Sequence, residues 1–141
     1  GPTWITPHIK EFQRLFPELN HLTPFEAVAE AARISGAVVL LKGAHSILAD
    51  PFGCKWQLRE TASYSARAGL GDVLAGFVAG VGALGLRLES GFNSELFASS
   101  VLLHAEASKN CPAGTNAASI SSFLGELVKG FQDDKCSQRH I

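Results

Sequence analysis

The chain has 141 residues, of which 46% are hydrophobic and 18% charged, and its formal net charge is -1. This supplies the core of one compact domain, and near-neutral charge without a Lys/Arg cluster excludes the broad electrostatic footprint that nonspecific nucleic-acid or anionic-membrane binding needs. An anionic ligand must then be held locally. Cys54, Cys111 and Cys136 are odd in number, far apart and outside any C-x-x-C pattern, so a disulfide framework and a zinc site are both unsupported and a reducing cytoplasm is expected. The uncharged run from Val73 to Leu86 falls short of the roughly 20 residues that span a bilayer and reads as a buried helix. No charged segment followed by an apolar one opens the chain, and Gly1-Pro2 fits a tag-removal scar.

In chain order, Trp4-Ile5-Thr6 is an apolar strand end checked by Pro7, which holds Thr6 extended and leaves His8 just past the strand. Lys10 to Phe16 predicts a short helix stopped by Pro17. Thr23-Pro24-Phe25-Glu26 combines an N-cap, a proline at the first helical position and a glutamate three residues after the cap. Phe25, Val28, Ala29 and Ala32 follow at helical spacing, and Gly36 suits a left-handed terminator. Ala37 to Leu41 is a β-branched and aliphatic run of the kind covered on both faces of a sheet. Ser46 to Ala49 predicts a second strand, Asp50-Pro51-Phe52-Gly53 a turn, and Cys54 to Arg59 the return strand. Glu60 to Gly69 reads as a loop before a helix from Leu70 to Leu84. Further helices are expected over Ser94 to Lys109 and Ser122 to Phe131, the latter with Phe123, Leu124, Leu127, Val128 and Phe131 on one core face. Asp133 to Ile141 is expected to be a frayed tail, and the absence of repeats and linkers predicts a single domain.

The chemistry concentrates in Ala68-Gly69-Leu70-Gly71-Asp72-Val73-Leu74-Ala75-Gly76. Free N–H groups in a first helical turn, with the positive end of the helix dipole, favour an anion, and glycines let the backbone approach it. A carboxylate there can take a proton from a hydroxyl that attacks phosphorus. From local physics, Asp72 is either such a base or simply the helix N-cap. Lys42-Gly43 at a strand end offers a point charge and an open backbone beside a phosphate, or is an ordinary turn with a solvated lysine. His8, taken alone, is either structural or a ligand contact.

Three segments in this order resemble the NAD(P)H-hydrate dehydratases, a family with a ribokinase-like fold. Gly71-Asp72-Val73-Leu74-Ala75-Gly76 resembles their anion-hole motif, Thr6-Pro7-His8-Ile9-Lys10-Glu11-Phe12 their T-P-H-x-x-E-F strand end, and Leu41-Lys42-Gly43-Ala44-His45-Ser46 with Ile47-Leu48-Ala49-Asp50-Pro51 their nucleotide segment and turn. The resemblance covers Trp4 to about Lys129 and implies an α/β chain forming the C-terminal half of a three-layer α/β/α ribokinase-like fold. It implies that His8 and Asp72 contact substrate, with Asp72 the catalytic base. Lys42, Gly43, Ala44, His45, Ser46 and Gly71 would contact an adenine nucleotide, and Gly69 and Leu70 would complete the anion hole. Backbone N–H groups from Gly69 to Asp72 would stabilise the transferring group. The implied reaction uses ADP or ATP with Mg2+ to phosphorylate the hydroxyl of hydrated NADH or NADPH (NADHX, NADPHX), and phosphate elimination then restores NADH or NADPH. No dedicated metal ligands, nucleic acid or membrane partner are implied. Alternatives are a small-molecule kinase of hydroxymethylpyrimidine or thiazole type, or a non-catalytic nucleotide-binding module.

The chain departs from the family's pattern in three places. Arg67-Ala68 replaces the threonine and glycine common in relatives, and Glu60 to Ser65 lacks their usual N-x-x-G-N-P-like approach. The family's fold is also considerably longer, so either an upstream half or self-association is expected to complete it. Gly80-Val81-Gly82-Ala83-Leu84-Gly85 spells a dinucleotide fingerprint but lies inside a helix rather than after a strand, and no P-loop sequence occurs. Gly76 and Gly80 are expected to admit a close-packed neighbour, His104 to sit at the core edge and Glu106 on the surface.

Overall fold

Proline at position 7 has no N–H to donate, so the first strand is short and the chain turns at once into a helix. The computed structural model describes residues 2–59, 68–87, 93–112 and 116–127. Expectations on Glu60 to Arg67, on Val128 and Phe131, and on the tail from Asp133 to Ile141 lie outside the described residues.

The first strand, β1, is Trp4–Ile5, and the first helix, α1, is Ile9–Leu15, one residue earlier than its sequence signals. His8 explains the difference. Its Nδ1 accepts the amides of Lys10 and Glu11 at 3.1 and 3.2 Å, while Glu11 Oε2 accepts the His8 amide at 2.7 Å. Histidine here performs the capping role that Ser, Thr, Asp or Asn usually fill. A 3-10 turn at Pro17–Leu19 leads to α2, Pro24–Ser35, whose capping box forms as expected. Thr23 Oγ1 accepts the Glu26 amide at 3.4 Å, and Glu26 accepts the Thr23 amide at 3.1 Å.

β2 (Val38–Leu41), β3 (Ser46–Ala49) and β4 (Lys55–Leu58) follow, giving a sheet in the order β1-β2-β3-β4. β1 pairs with β2 in parallel, and the remaining neighbours are antiparallel. Alternation along β2 and β3 divides the core between the two faces. Val39, Leu41, Ile47 and Ala49 pack on α1 and α2, while Leu40 and Leu48 join Leu58 and the helices of the opposite layer. Both faces are covered, and the layers are α/β/α.

The opposite layer consists of α3 (Leu70–Arg87) and α4 (Ser94–Asn110). Trp4 stacks on Phe97 with ring centroids 4.4 Å apart, tying β1 to α4. Residues 120–127 are helical after a 3-10 turn at Ala117–Ser119, beginning two residues before the expected start. Ile120 and Leu124 pack with Ala107 and Cys111, as the apolar spacing required.

Three packing expectations are corrected. α3 is not a buried helix: Leu74, Val78, Gly82 and Gly85 face inward, but Leu84 and Leu86 are 61% and 59% exposed. Its one buried stripe matches the single face it lays on α4 and the sheet. By length and composition α3, with a mean hydropathy of 1.4, is apolar enough to cross a membrane, although only 22% of it is buried. A Cβ at Gly76 or Gly80 would meet nothing within 4 Å, so no close-packed neighbour lies there among the described residues. Phe25 also leaves the core face of α2 and lies 40% exposed, with Lys55 Nζ 5.2 Å from its ring centroid.

Asp50 joins the β3–β4 turn to α4. Its Oδ1 accepts the amides of Phe52 and Cys54, both at 2.9 Å, and its Oδ2 accepts the Ser94 hydroxyl at 2.7 Å. Burial pushes the carboxyl upward, but these donors outweigh it and hold the group below its ordinary value. Asp50→Ala should destabilise the protein by about 2–3 kcal/mol in a denaturant titration, because the buried Ser94 hydroxyl and two part-buried amides lose a charged acceptor. Asp50→Asn, which keeps an oxygen acceptor, should cost less.

Candidate functional site

Parallel pairing brings the first two sequence motifs side by side. The Lys42 amide donates to the Pro7 carbonyl at 2.9 Å, and His8 and Lys42 form a parallel bridge just beyond β1 and β2. The four residues Lys42, Gly43, Ala44 and His45 then turn the chain into β3. Ser46 braces this turn: its hydroxyl oxygen accepts the Gly43 amide at 3.3 Å and donates to the Gly43 carbonyl at 3.3 Å. Ser46 is buried, whereas Gly43, Ala44 and His45 are exposed.

The third motif approaches from α3. Gly69 precedes the helix with φ +82°, a conformation that penalises any side chain, and its carbonyl accepts the amides of Asp72 and Val73, both at 3.1 Å. Asp72 therefore stands inside the first helical turn, and the reading of it as the N-cap is corrected. The expectation that the amide of Asp72 serves an anion is corrected too, because that N–H is spent on Gly69. The helix start leaves the amides of Leu70 and Gly71 for a ligand. Lys42 Nζ lies 3.3 Å from where a Cβ on Gly71 would be, so glycine admits the ammonium against the helix start. The side chain of Asp72 is exposed beside it.

Between these elements lies a cavity of about 150 Å³, walled by Leu40, Leu74 and Val101 and given polarity by Lys42, Ser46 and His104. Sequence reading missed His104 as a site residue. It is 5% exposed on α4 and shares the cavity wall with Leu70 at the start of α3. Nothing in its spacing marks it, since a lone histidine among alanines and leucines looks like core. Of the residues singled out from sequence, Lys42, Gly43, Ser46, Leu70 and Gly71 line this cavity. His8, Ala44, His45, Gly69 and Asp72 do not line it. His8 adjoins Lys42 across the strands and Gly69 and Asp72 flank the lining residues of α3, while Ala44 and His45 stay in the exposed turn.

Electrostatics favour an anion at the helix start, where a lysine and the positive end of α3 coincide. Glu11 carries the local negative charge, and the bond from the His8 amide, opposed by burial, holds its carboxyl below the ordinary value, with His8 and Lys42 assisting. Burial pushes His104 down to about 4 against the opposing bond to Leu70, so its ring is neutral near pH 7.

A parallel strand pair ending in a lysine, beside a glycine-opened helix and a small apolar cavity, brings a cation, helix-start amides and apolar walls together in an α/β fold. The fold is that of the ribokinase-like dehydratases. The chain belongs to the NAD(P)H-hydrate dehydratase family, whose model matches residues 1–127. It is 43% identical over 81 residues to the bifunctional NAD(P)H-hydrate repair enzyme Nnr of Synechocystis sp., an alignment covering 57% of this chain and 16% of that protein. The Nnr of Thermofilum pendens is 29% identical over 137 residues, covering 95% and 26%. The crystal structure of ADP/ATP-dependent NAD(P)H-hydrate dehydratase from Bacillus subtilis, co-crystallised with ATP/Mg2+, matches with a TM-score of 0.73 and 28% identity over 93% of this chain and 48% of that one. A ribokinase-like superfamily protein from Enterococcus faecalis has the same fold, with a TM-score of 0.75 over 91% of this chain and 44% of its own. The chain thus spans about a quarter or less of these curated relatives and about half of the solved structures.

The His104 shift makes stability pH-dependent. The unfolded ring takes a proton below its ordinary value of 6.5, whereas the folded ring resists until about 4, so protonation favours unfolding and stability falls between these values as pH falls. Denaturant titrations of the wild type should show a loss of about 2 kcal/mol from this group between pH 7 and pH 5. In His104→Leu that increment should vanish, and an unchanged pH profile would contradict the assignment.

Proposed function

We propose that the chain forms the nucleotide-binding part of an ADP- or ATP-dependent dehydratase that returns NADHX or NADPHX to NADH or NADPH. The observation that carries this reading is the convergence of Lys42, His8 and the Gly71 helix start. Lys42 and the amides of Leu70 and Gly71 hold the phosphate end of the nucleotide, and the Gly43–Ser46 turn borders it. His8 caps its helix through Nδ1, and its Nε2, 3.5 Å from Glu11 Oε1, lies on the exposed edge that would meet substrate. Asp72 takes the proton as the substrate hydroxyl attacks the terminal phosphorus. The resulting phosphate ester loses phosphate as its C–O bond breaks, pushed by the ring nitrogen lone pair. Loss of a proton from the adjacent carbon restores the dihydronicotinamide, leaving ADP (or AMP) and phosphate.

Among the described residues no cluster of three or more His, Cys, Asp or Glu side chains is present, and magnesium would fit as an ion that arrives on the phosphates. Such an ion neutralises charge on the phosphate oxygens. The greater length of the relatives supports further substrate contacts from additional sequence. The exposure of Leu84 and Leu86 supports burial of α3 against that sequence or a second copy. The scattered cysteines support a cytoplasmic setting.

The test is to supply NADHX with ADP or ATP and magnesium and follow NADH absorbance. Asp72→Asn should lower the rate by on the order of 10²–10⁴ while leaving nucleotide affinity nearly unchanged. Equal turnover by the variant removes the assigned role. Nucleotide binding without turnover by the wild type marks the chain as an incomplete module, and nucleotide consumption with a pyrimidine or thiazole alcohol but not NADHX marks a kinase.

Gly71→Ala separates stability from binding. A Cβ crowds the Lys42 ammonium, which must shift slightly, but suits a helix better than glycine does, by roughly 0.5–1 kcal/mol. Calorimetry should find nucleotide affinity about tenfold weaker, with the thermal midpoint unchanged or raised.

A further inference from the structure

Among the described residues α3 leaves one whole face uncovered. Asp72, Gly76, Ala79, Ala83 and Leu86 are all exposed and follow one another at intervals of four, three, four and three residues, opposite the buried stripe of Leu74, Val78, Gly82 and Gly85. That alternation is the seam along which two helices pack lengthwise. Only 22% of the helix is buried, and no charge interrupts it between Asp72 and Arg87.

The residues of the seam set how closely a partner can lie. Gly76, Ala79 and Ala83 carry at most a methyl group, and a Cβ at Gly76 or Gly80 would meet nothing within 4 Å. A second helix can therefore approach backbone to backbone, gaining dispersion along the contact.

The ends of the seam set which way the partner runs. An exposed Asp72 opens it and an exposed Arg87 closes it. Laid antiparallel about a two-fold axis between Ala79 and Gly80, two copies place Asp72 of each opposite Arg87 of the other, Gly76 opposite Ala83, and Ala79 against itself. Laid parallel and in register, the same helices place carboxylate on carboxylate and guanidinium on guanidinium. The face is complementary to itself in one direction only, and a two-fold contact of that kind closes.

We propose that this face of α3 is an interface between two copies of the chain, packed antiparallel across Ala79. The inference does not depend on the nucleotide reading. A helix of 18 residues is about 27 Å long and about 10 Å across, so the contact is smaller than a permanent interface and the dimer dissociates in the micromolar range. Burial of the seam supplies its stability, while the charged ends set direction and register. A solvent-exposed ion pair of this kind is weak, so Asp72 remains available to a substrate.

Sedimentation equilibrium tests association. The wild type should pass from monomer to dimer as concentration rises through the micromolar range. Ala79→Glu, which sets two carboxylates face to face on the axis, should leave a monomer, and Arg87→Glu should weaken association by at least about tenfold. Both positions are exposed, so circular dichroism should find both variants folded. Direction is read by oxidation in a chain carrying Cys54→Ser and Cys136→Ser. Ala79→Cys should cross-link the two copies. Leu86→Cys should not, because antiparallel packing holds the two positions about 20 Å apart along the helices, beyond the reach of a disulfide. These smaller substitutions also decide the matter if a glutamate variant fails to fold. A wild type that stays monomeric, an association unmoved by Ala79→Glu or by Arg87→Glu, or cross-linking through Leu86 rather than Ala79 would each overturn the assignment.

Discussion

The parallel bond between the ends of β1 and β2 is the constraint from which the site follows. Once the Pro7 carbonyl accepts the Lys42 amide, His8 and Lys42 are neighbours although far apart in sequence. Proline at position 7 ends the strand there, and His8 immediately becomes the cap of α1. Lys42, leaving the sheet at the same level, points its ammonium at the start of α3. A register shift of one residue would move Leu40 to the other face and turn Lys42 away from the helix. Register is protected by the cores on both sides of β2, so hydrophobic burial indirectly fixes the position of a charge.

Most of the elements were legible because their signals are local. The Thr23–Glu26 capping box, the aliphatic run of β2 and the β3–β4 turn each depend on residues within a few positions of one another. The start of α1 was misplaced because histidine is an unusual cap, and only the three-dimensional position of Nδ1 reveals it. The burial of α3 was misjudged for a different reason: composition sets how apolar a helix is, but the number of elements laid against it sets how much is covered. Leu84 and Leu86 are exposed because one face alone finds neighbours among the described residues.

The candidate site was legible in part for the same reason. Glycines before a helix and a lysine after a strand are short patterns with a physical rationale, and the resemblance joined them. His104 was not legible. Its place in the cavity wall depends on α4 packing beside the first turn of α3, which joins residues 34 positions apart and leaves no trace in spacing. Its depressed basicity is likewise a property of burial, which the sequence around it does not specify.

Under the proposed nucleotide reading the helix start of α3 would serve two negative groups, and its geometry is compatible with both. Asp72 inside the first turn already benefits from the positive end of the helix dipole, so a phosphate arriving there meets like charge. Three features offset that repulsion. The Asp72 amide is bonded back to Gly69, which leaves the amides of Leu70 and Gly71 as the donors for a ligand. The Asp72 side chain is exposed, where solvent screens it, while Lys42 occupies the inner side against Gly71. The cavity histidine is neutral near pH 7 and adds no charge of its own. Carboxylate and phosphate can therefore share one helix end on opposite sides, the arrangement a base needs if it is to sit beside a phosphoryl group without displacing it.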